Sequence, residues 1–130
     1  MIKIIIDYPV KSFKELFFDC DCIESIFFKK FYRSNITNMS YMFSGCSSLK
    51  ELNLNNFNTG KVTKMAFMFN GCLLLEKLNL SNFYTNNIKN MNYVFYKCSS
   101  LKELNLNNFN TNNVTEMSYI FLLMLKRIKK

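Results

Sequence analysis

Five cysteines carry the most reactive side chains in this sequence of 130 residues, which contains no histidine. Cys20, Cys46, Cys72 and Cys98 form a series with a constant 26-residue interval, and Cys22 stands apart from that series. Zinc ligands normally come in pairs with roughly two to four residues between them, and other Cys or His residues complete the site. Cys20 and Cys22 have only one residue between them. Cysteines in neighbouring units of a stacked repeat would lie roughly 5 Å apart, within the Cα distance of a disulfide. Because each cysteine of the series stands among Phe and Leu, we favour buried free thiols there and expect the exposed thiol at Cys22.

The sequence lacks the residues that other kinds of catalysis require. Without histidine, the sequence has neither a Ser–His nor a Cys–His pair. It also has no Gly-rich phosphate loop and no two carboxylates that would converge on one site. We therefore predict that the protein is not an enzyme, with no catalytic residue, no metal and no cofactor.

A second set of residues is polar and recurs with the same 26-residue period. Two columns of charged residues alternate in sign from one repeat to the next, and two further columns carry amides or a hydroxyl. The twelve residues, which we call the polar columns, are Lys50, Glu51, Asn53, Asn55, Glu76, Lys77, Asn79, Ser81, Lys102, Glu103, Asn105 and Asn107. A parallel in-register sheet would set opposite charges side by side, although exposed pairs contribute only about 0–1 kcal/mol each. The columns indicate either a flat polar face that binds a protein or glycan, or an inert, soluble sheet face.

The 26-residue period also defines the elements that must position these residues. We place a cap strand at 1–8, repeat units at 9–34, 35–60, 61–86 and 87–112, and a partial unit at 113–130, all in a single domain. The alternation at Leu52 and Leu54 predicts a strand with one buried face. In the other half of the unit, Val62, Met65 and Phe69 are three and four residues apart, which predicts a short helix or 3₁₀ segment. The predicted fold class is therefore an α/β repeat solenoid.

Burial explains why such units must stack. One unit carries apolar residues on both halves but is too small to cover them alone. Parallel strands about 4.8 Å apart would join the Leu, Met, Phe and Cys columns into one interior, where each buried side chain contributes roughly 1.5–3 kcal/mol. Polar residues after each strand can tie the turns together through side-chain-to-backbone hydrogen bonds. These residues are Asn56, Asn82, Asn108, Thr59, Thr85 and Thr111.

The repeat motif carries a family resemblance. Residues 62–85 contain the string Val-Thr-x-Met-x-x-x-Phe-x-x-Cys-x-x-Leu-x-x-Leu-x-Leu-x-x-Phe-x-Thr. This string resembles the BspA-like leucine-rich repeat family, and more narrowly its 26-residue surface-protein subtype known from mycoplasma lipoproteins; the likeness extends over about residues 10–124. The resemblance implies a right-handed leucine-rich-repeat coil with one parallel strand and one short helix or 3₁₀ segment per turn. It also implies a non-catalytic role in surface display, adhesion or protein binding, at the cell surface or after secretion.

Charge and hydropathy narrow the range of partners. The formal net charge is +8, and residues 126–130 carry half of it. Because the positive charge is concentrated in this short segment, we predict no specific nucleic-acid partner and at most a weak contact with an anionic surface. The longest apolar run, 119–125, is far shorter than the roughly 20 residues that cross a bilayer, so we predict no transmembrane segment. The apolar run before the first acidic residue is only Ile4–Ile6. A signal peptide has an apolar core of roughly 7–15 residues, so none is predicted.

Two functions of different kinds remain open at this point. The first is a binding module that mediates protein–protein or cell-surface interaction through its strand face. The second is a structural or truncated repeat fragment without a ligand of its own. In either case the strand edge at 101–106 could pair with another chain, because open strand edges are templates for pairing, and we predict self-association through the C-terminal edge.

Overall fold

Short strands occur at equal intervals along the chain. The computed structural model describes residues 10–28 and 35–121. The strands within them are β1 (Ser25–Phe27), β2 (Glu51–Asn53), β3 (Lys77–Asn79) and β4 (Glu103–Asn105). Each strand occupies the same position of its repeat unit. The predicted cap strand at 1–8 and the end of the partial unit, at 122–130, lie outside the described residues.

The strands pair in parallel, and each residue lies opposite its equivalent in the next unit. β1 pairs with β2, where Ile26 lies opposite Leu52, and β3 pairs with β4, where Leu78 lies opposite Leu104. No backbone pairing joins β2 to β3, so the four described strands form two separate two-stranded sheets. The structure therefore differs at this point from the continuous in-register sheet that the charge columns predict.

The second half of each unit is a ladder of turns, where the spacing of the apolar residues predicts a helix or 3₁₀ segment. No residue in the described ranges is helical. Alternate N–H groups donate to carbonyl oxygens of the following unit, as from Met39 to Lys64 at 2.9 Å and from Tyr41 to Ala66 at 3.0 Å. An intervening N–H group closes a tight turn, as from Met42 to the carbonyl of Met39 at 3.3 Å. We call this segment the turn ladder; its apolar spacing of three and four residues comes from consecutive turns.

Left-handed backbone at one position of each unit explains why a helix does not form. Glu15, Tyr41, Phe67, Tyr93 and Tyr119 have φ between 53° and 60°, a region that bulky residues seldom adopt. An α-helix needs negative φ at every residue, so one such residue interrupts it. Stacked rings stabilise this column, with centroids 4.7 Å apart for Tyr41–Phe67, 4.6 Å for Phe67–Tyr93 and 5.1 Å for Tyr93–Tyr119.

The core lies between the strands and the turn ladder, and its residues recur with the period of the repeat. Met39, Met65 and Met91 are all completely buried. Next to them runs a column of phenylalanines with nearly parallel rings, whose centroids are 5.6 to 5.8 Å apart: Phe17, Phe43, Phe69, Phe95 and Phe121. Equivalent residues of consecutive units therefore lie against one another. In the described ranges, the structure has no helix of the length and apolarity that a membrane span requires.

Candidate functional site

The polar columns lie on the outer side of the strands and just beyond the strand ends. Ten of the twelve residues are exposed, and two, Ser81 and Asn105, are half-buried. In β2, for example, Glu51 and Asn53 are exposed on either side of the half-buried Leu52. The period of two within each of β2, β3 and β4 thus turns the central leucine inward and the residues on either side of it outward. The other members of the polar columns lie just before or just after the strands. The structure brings the residues that the sequence singles out onto one face.

Ion pairs join the charged columns where strands are hydrogen-bonded. Among the described residues, three pairs lie on this face: Lys77–Glu103 at 3.0 Å, Lys102–Glu76 at 3.5 Å and Lys50–Glu24 at 3.4 Å. Within the described residues, neither Glu51–Lys77 nor Lys50–Glu76 forms an ion pair, and Glu51 has none. The predicted pairing of opposite charges therefore occurs between β3 and β4. It does not occur between β2 and β3, where no backbone hydrogen bonds hold the two strands together.

The asparagine column has a local structural role. Each of Asn53, Asn79 and Asn105 accepts a hydrogen bond at Oδ1 from the backbone N–H two residues further along, at 2.9, 3.0 and 3.1 Å respectively. Such turns end the strands in all three units. Because these bonds occupy the oxygens, the column can offer a ligand its side-chain Nδ2 groups but not its full hydrogen-bonding capacity.

A depression of about 550 Å³ lies where β2 and β3 fail to pair. Its apolar lining consists of Phe27, Leu52 and Leu74. The rest of the lining is Ser100 and five members of the polar columns: Lys50, Glu51, Asn53, Glu76 and Lys77. The arrangement is an apolar hollow with a charged rim, which is the usual form of a site that anchors a side chain.

The repeat pattern of the sequence does not predict the apolar part of this site. Leu73 and Leu74 stand where the neighbouring units carry paired serines, at 47–48 and at 99–100. They are 40% and 44% exposed, respectively. A break in an otherwise regular repeat, from serine to leucine at a surface position, is the signal that could have identified them.

The polar residues after the strands tie neighbouring turns together, which confirms the prediction for four of the six. Asn108 Nδ2 donates to the carbonyl of Ser81 in the preceding unit. Thr59 Oγ1 donates to the carbonyl of Tyr84 at 3.1 Å and accepts from its N–H at 2.8 Å. Thr85 makes the same pair of bonds with Asn110, at 2.9 and 2.7 Å. Asn82 donates from Nδ2 to three carbonyl oxygens of the preceding unit at 3.0 to 3.1 Å. These residues stabilise the stack and are not part of the outer face.

All five cysteines are free; three of the series are buried, as predicted, and Cys22 is exposed. The buried thiols of Cys46, Cys72 and Cys98 each direct Sγ at a carbonyl oxygen of the preceding unit, at 3.1, 3.3 and 3.0 Å. Burial raises the pKa of Cys46 and of Cys98 to about 12, and raises the pKa of Cys72 well above its usual value. Cys20, at the start of the series, is only half-buried. The three buried thiols therefore stay protonated and unreactive at neutral pH.

The raised thiol pKa values predict a loss of stability at alkaline pH. Since the folded chain holds these protons more tightly than the unfolded chain, the stabilisation is complete below about pH 9 and is lost as the pH rises towards 12. Each thiol then removes roughly 1.4 kcal/mol of unfolding free energy per pH unit. Urea titrations at several alkaline pH values measure this slope. Cys98→Ala should have a shallower slope than the wild type; equal slopes for the two chains would contradict the prediction.

A second depression, of about 450 Å³, lies on the edge of the turn ladder next to Lys61 and Lys89. Its polar groups are already engaged within the chain. Lys61 Nζ donates to Asn35 Oδ1 at 3.1 Å, and Asn87 Nδ2 donates to the carbonyl of Gly60 at 2.7 Å. Two lysines also provide too few phosphate contacts for a nucleic-acid duplex, so this surface is a weaker candidate than the strand face.

Comparison with known proteins identifies a family for nearly the whole chain. A family model described as Mycoplasma protein of unknown function, DUF285, matches residues 11–127. No curated protein and no solved structure matches the chain. Since the matched range contains all four described strands together with the turn ladder, the chain belongs to this family of Mycoplasma proteins of unknown function.

Proposed function

We propose that this protein is a non-catalytic repeat module that binds an extended segment of a protein ligand on its strand face. Its fold would be a right-handed leucine-rich-repeat coil, and its role would be display or adhesion at the cell surface, as the family resemblance implies. Parallel strand pairs support the coil, and so do the parallel bridges that join equivalent residues of consecutive units in the turn ladder, such as Asn38 to Lys64. Exposed strand faces are the usual binding surfaces of such coils.

The observation that carries the proposal is the depression between β2 and β3. It coincides with five of the twelve residues of the polar columns, and it adds apolar surface that those columns lack. Leu74 is 44% exposed beside the exposed Phe27. A buried apolar anchor surrounded by a polar rim is the arrangement that supplies most of the affinity in protein recognition. A single apolar side chain of the ligand would therefore enter the depression.

The charges around the depression indicate what flanks that anchor. Three of the four charged lining residues already have ion-pair partners within the face, and the fourth, Glu51, has none among the described residues. A carboxylate without a partner at the rim favours a basic residue of the ligand. The ligand class that the site fits is thus an extended peptide segment with an apolar anchor next to Lys or Arg.

Leu74→Ser tests this function directly because it restores the residue type of the neighbouring units. A random peptide library is selected on the immobilised wild-type chain, and the affinity of one enriched synthetic peptide is measured by titration calorimetry. Burying one leucine contributes roughly 1.5–3 kcal/mol, so Leu74→Ser should weaken binding about 10- to 100-fold. Glu51→Lys should weaken the same peptide further if a basic residue flanks its anchor.

Leu73→Ser is the matched control. It makes the same chemical change at the adjacent position, which is 40% exposed but does not line the depression. It should leave the affinity unchanged. If both leucine variants bind the peptide as the wild type does, the site lies elsewhere. If the library yields no enriched peptide, the chain is better described as a structural repeat fragment without its own ligand.

A further inference from the structure

The turn ladder contains unbroken columns of hydrogen-bonded peptide groups that run through the stack. In one column, the N–H of Phe13 donates to the carbonyl of Asn38. That carbonyl belongs to the peptide group between Asn38 and Met39, and the N–H of Met39 donates in turn to the carbonyl of Lys64. The column continues with hydrogen bonds from the N–H of Met65 to the carbonyl of Asn90 and from the N–H of Met91 to the carbonyl of Glu116. Two further columns of this kind, which start from the N–H groups of Glu15 and Phe17, also reach the last described unit. A fourth column starts from the N–H group of Asp19 and is described as far as the carbonyl of Tyr96. Every one of these bonds joins one unit to the next.

These columns share one direction. Each N–H group points towards the C-terminal unit and each carbonyl towards the N-terminal unit. Within the described residues, the first and the last unit of these columns therefore carry complementary backbone groups. At one end, the N–H groups of Met117, Tyr119 and Phe121 have no acceptor in the described part of the chain. At the other end, the carbonyls of Ser12, Lys14 and Leu16 accept no hydrogen bond from the described residues.

We propose that a second copy of this chain stacks head to tail on the C-terminal unit, so that the three columns continue from one molecule into the next. Each acceptor in the ladder lies one residue before the position equivalent to its donor. Met117, Tyr119 and Phe121 are equivalent to Phe13, Glu15 and Phe17. The acceptors on the second copy are therefore Ser12, Lys14 and Leu16, which are the three carbonyls that its N-terminal unit presents.

Side chains at the two ends fit the same arrangement. Met117 is exposed and Tyr119 is 56% exposed at the C-terminal end, and Phe18 is exposed at the N-terminal end. Tyr119 ends the ring column that begins at Tyr41, and the equivalent residue of the second copy is Glu15. The contact uses different surfaces on the two molecules, so it does not close on itself, and successive additions would produce an open chain of molecules.

A charge-swap experiment tests this contact on the full chain. Sedimentation velocity should show the mass of the wild type rising with concentration above the 15.4 kDa monomer. Tyr119→Glu places a carboxylate beside Glu15 of the next copy, and this like-charge contact should raise the concentration needed for association at least about tenfold. Adding Glu15→Lys in the same chain turns the clash into an ion pair and should restore association. Circular dichroism confirms that each variant is folded.

Tyr84→Glu is the matched control, since Tyr84 is 57% exposed but lies away from both ends of the stack. It should associate as the wild type does. Three results would overturn the proposal: a wild-type chain that stays at 15.4 kDa at all concentrations; a Tyr119→Glu variant that associates unchanged; or a double variant that fails to recover. None of these results bears on peptide binding at the strand face, which the Leu74 variants test separately.

Discussion

Phe69→Ala is expected to lower the free energy of unfolding by about 4–5 kcal/mol. Phe69 is completely buried, and its ring stacks on Phe43 at 5.7 Å and on Phe95 at 5.8 Å. Removing the ring leaves a cavity in the middle of the column and deprives both neighbouring rings of a partner. Because small domains are stable by only about 5–15 kcal/mol, this single change should bring the chain close to unfolding.

Phe121→Ala is the control within the same column. Phe121 is only half-buried and stacks on one ring, that of Phe95, at 5.6 Å. The same chemical change at this end position should cost about 1–2 kcal/mol. Urea unfolding followed by far-ultraviolet circular dichroism measures both values in a chain that has no tryptophan. Equal losses in the two variants would show that the rings do not support one another through the stack.

The 26-residue period predicts which residues lie side by side. Residue pairs such as Ile26 and Leu52 are neighbours in the structure because stacking of equal units brings equivalent positions together. The same logic applies to the buried thiols and to the Thr59 and Thr85 turns. In each case, one repeated residue meets a repeated environment, so a pattern in one unit is informative for all of them.

Backbone conformation within the unit could not be predicted in the same way. An apolar spacing of three and four residues is shared by a short helix and by consecutive turns, so periodicity does not distinguish them. The deciding feature is the left-handed backbone at Tyr41 and its equivalents, and tyrosine gives no signal for it. At a second left-handed position, Gly45 and Gly71 do signal positive φ, but Asp19 and Lys97 adopt the same conformation there.

The candidate site, too, can be predicted from the sequence only in part. All three strands β2, β3 and β4 have closely related sequences, so nothing in them predicts that β2 and β3 remain unpaired while β3 and β4 are joined. The 26-residue spacing is enough to identify the residues of the polar columns. The depression depends on a departure from the repeat, at Leu74, and on a gap between strands that only three-dimensional structure reveals.

Asn82→Asp is expected to destabilise the chain by about 3 kcal/mol at neutral pH. Asn82 Nδ2 donates to the carbonyl oxygens of Leu54, Asn55 and Phe57 at 3.0, 3.0 and 3.1 Å. Its Oδ1 is buried and has no hydrogen-bond partner among the described residues. The substitution keeps the shape of the side chain but replaces the donor with a charged oxygen that faces three carbonyl oxygens. The turn of one unit would then repel the turn of the unit before it.

The comparison with Asn86→Asp isolates that repulsion from the change in net charge. Asn86 is exposed, so the same substitution there should alter the unfolding free energy by less than about 0.5 kcal/mol. Urea titrations of both variants at neutral and at acidic pH provide the measurement. Under acidic conditions the carboxyl group introduced in place of the Asn82 amide is protonated and neutral, and it can donate one hydrogen bond. The Asn82→Asp variant should then recover part of its deficit relative to Asn86→Asp. Equal stability of the two variants at neutral pH would mean that the Asn82 bonds do not hold neighbouring turns together.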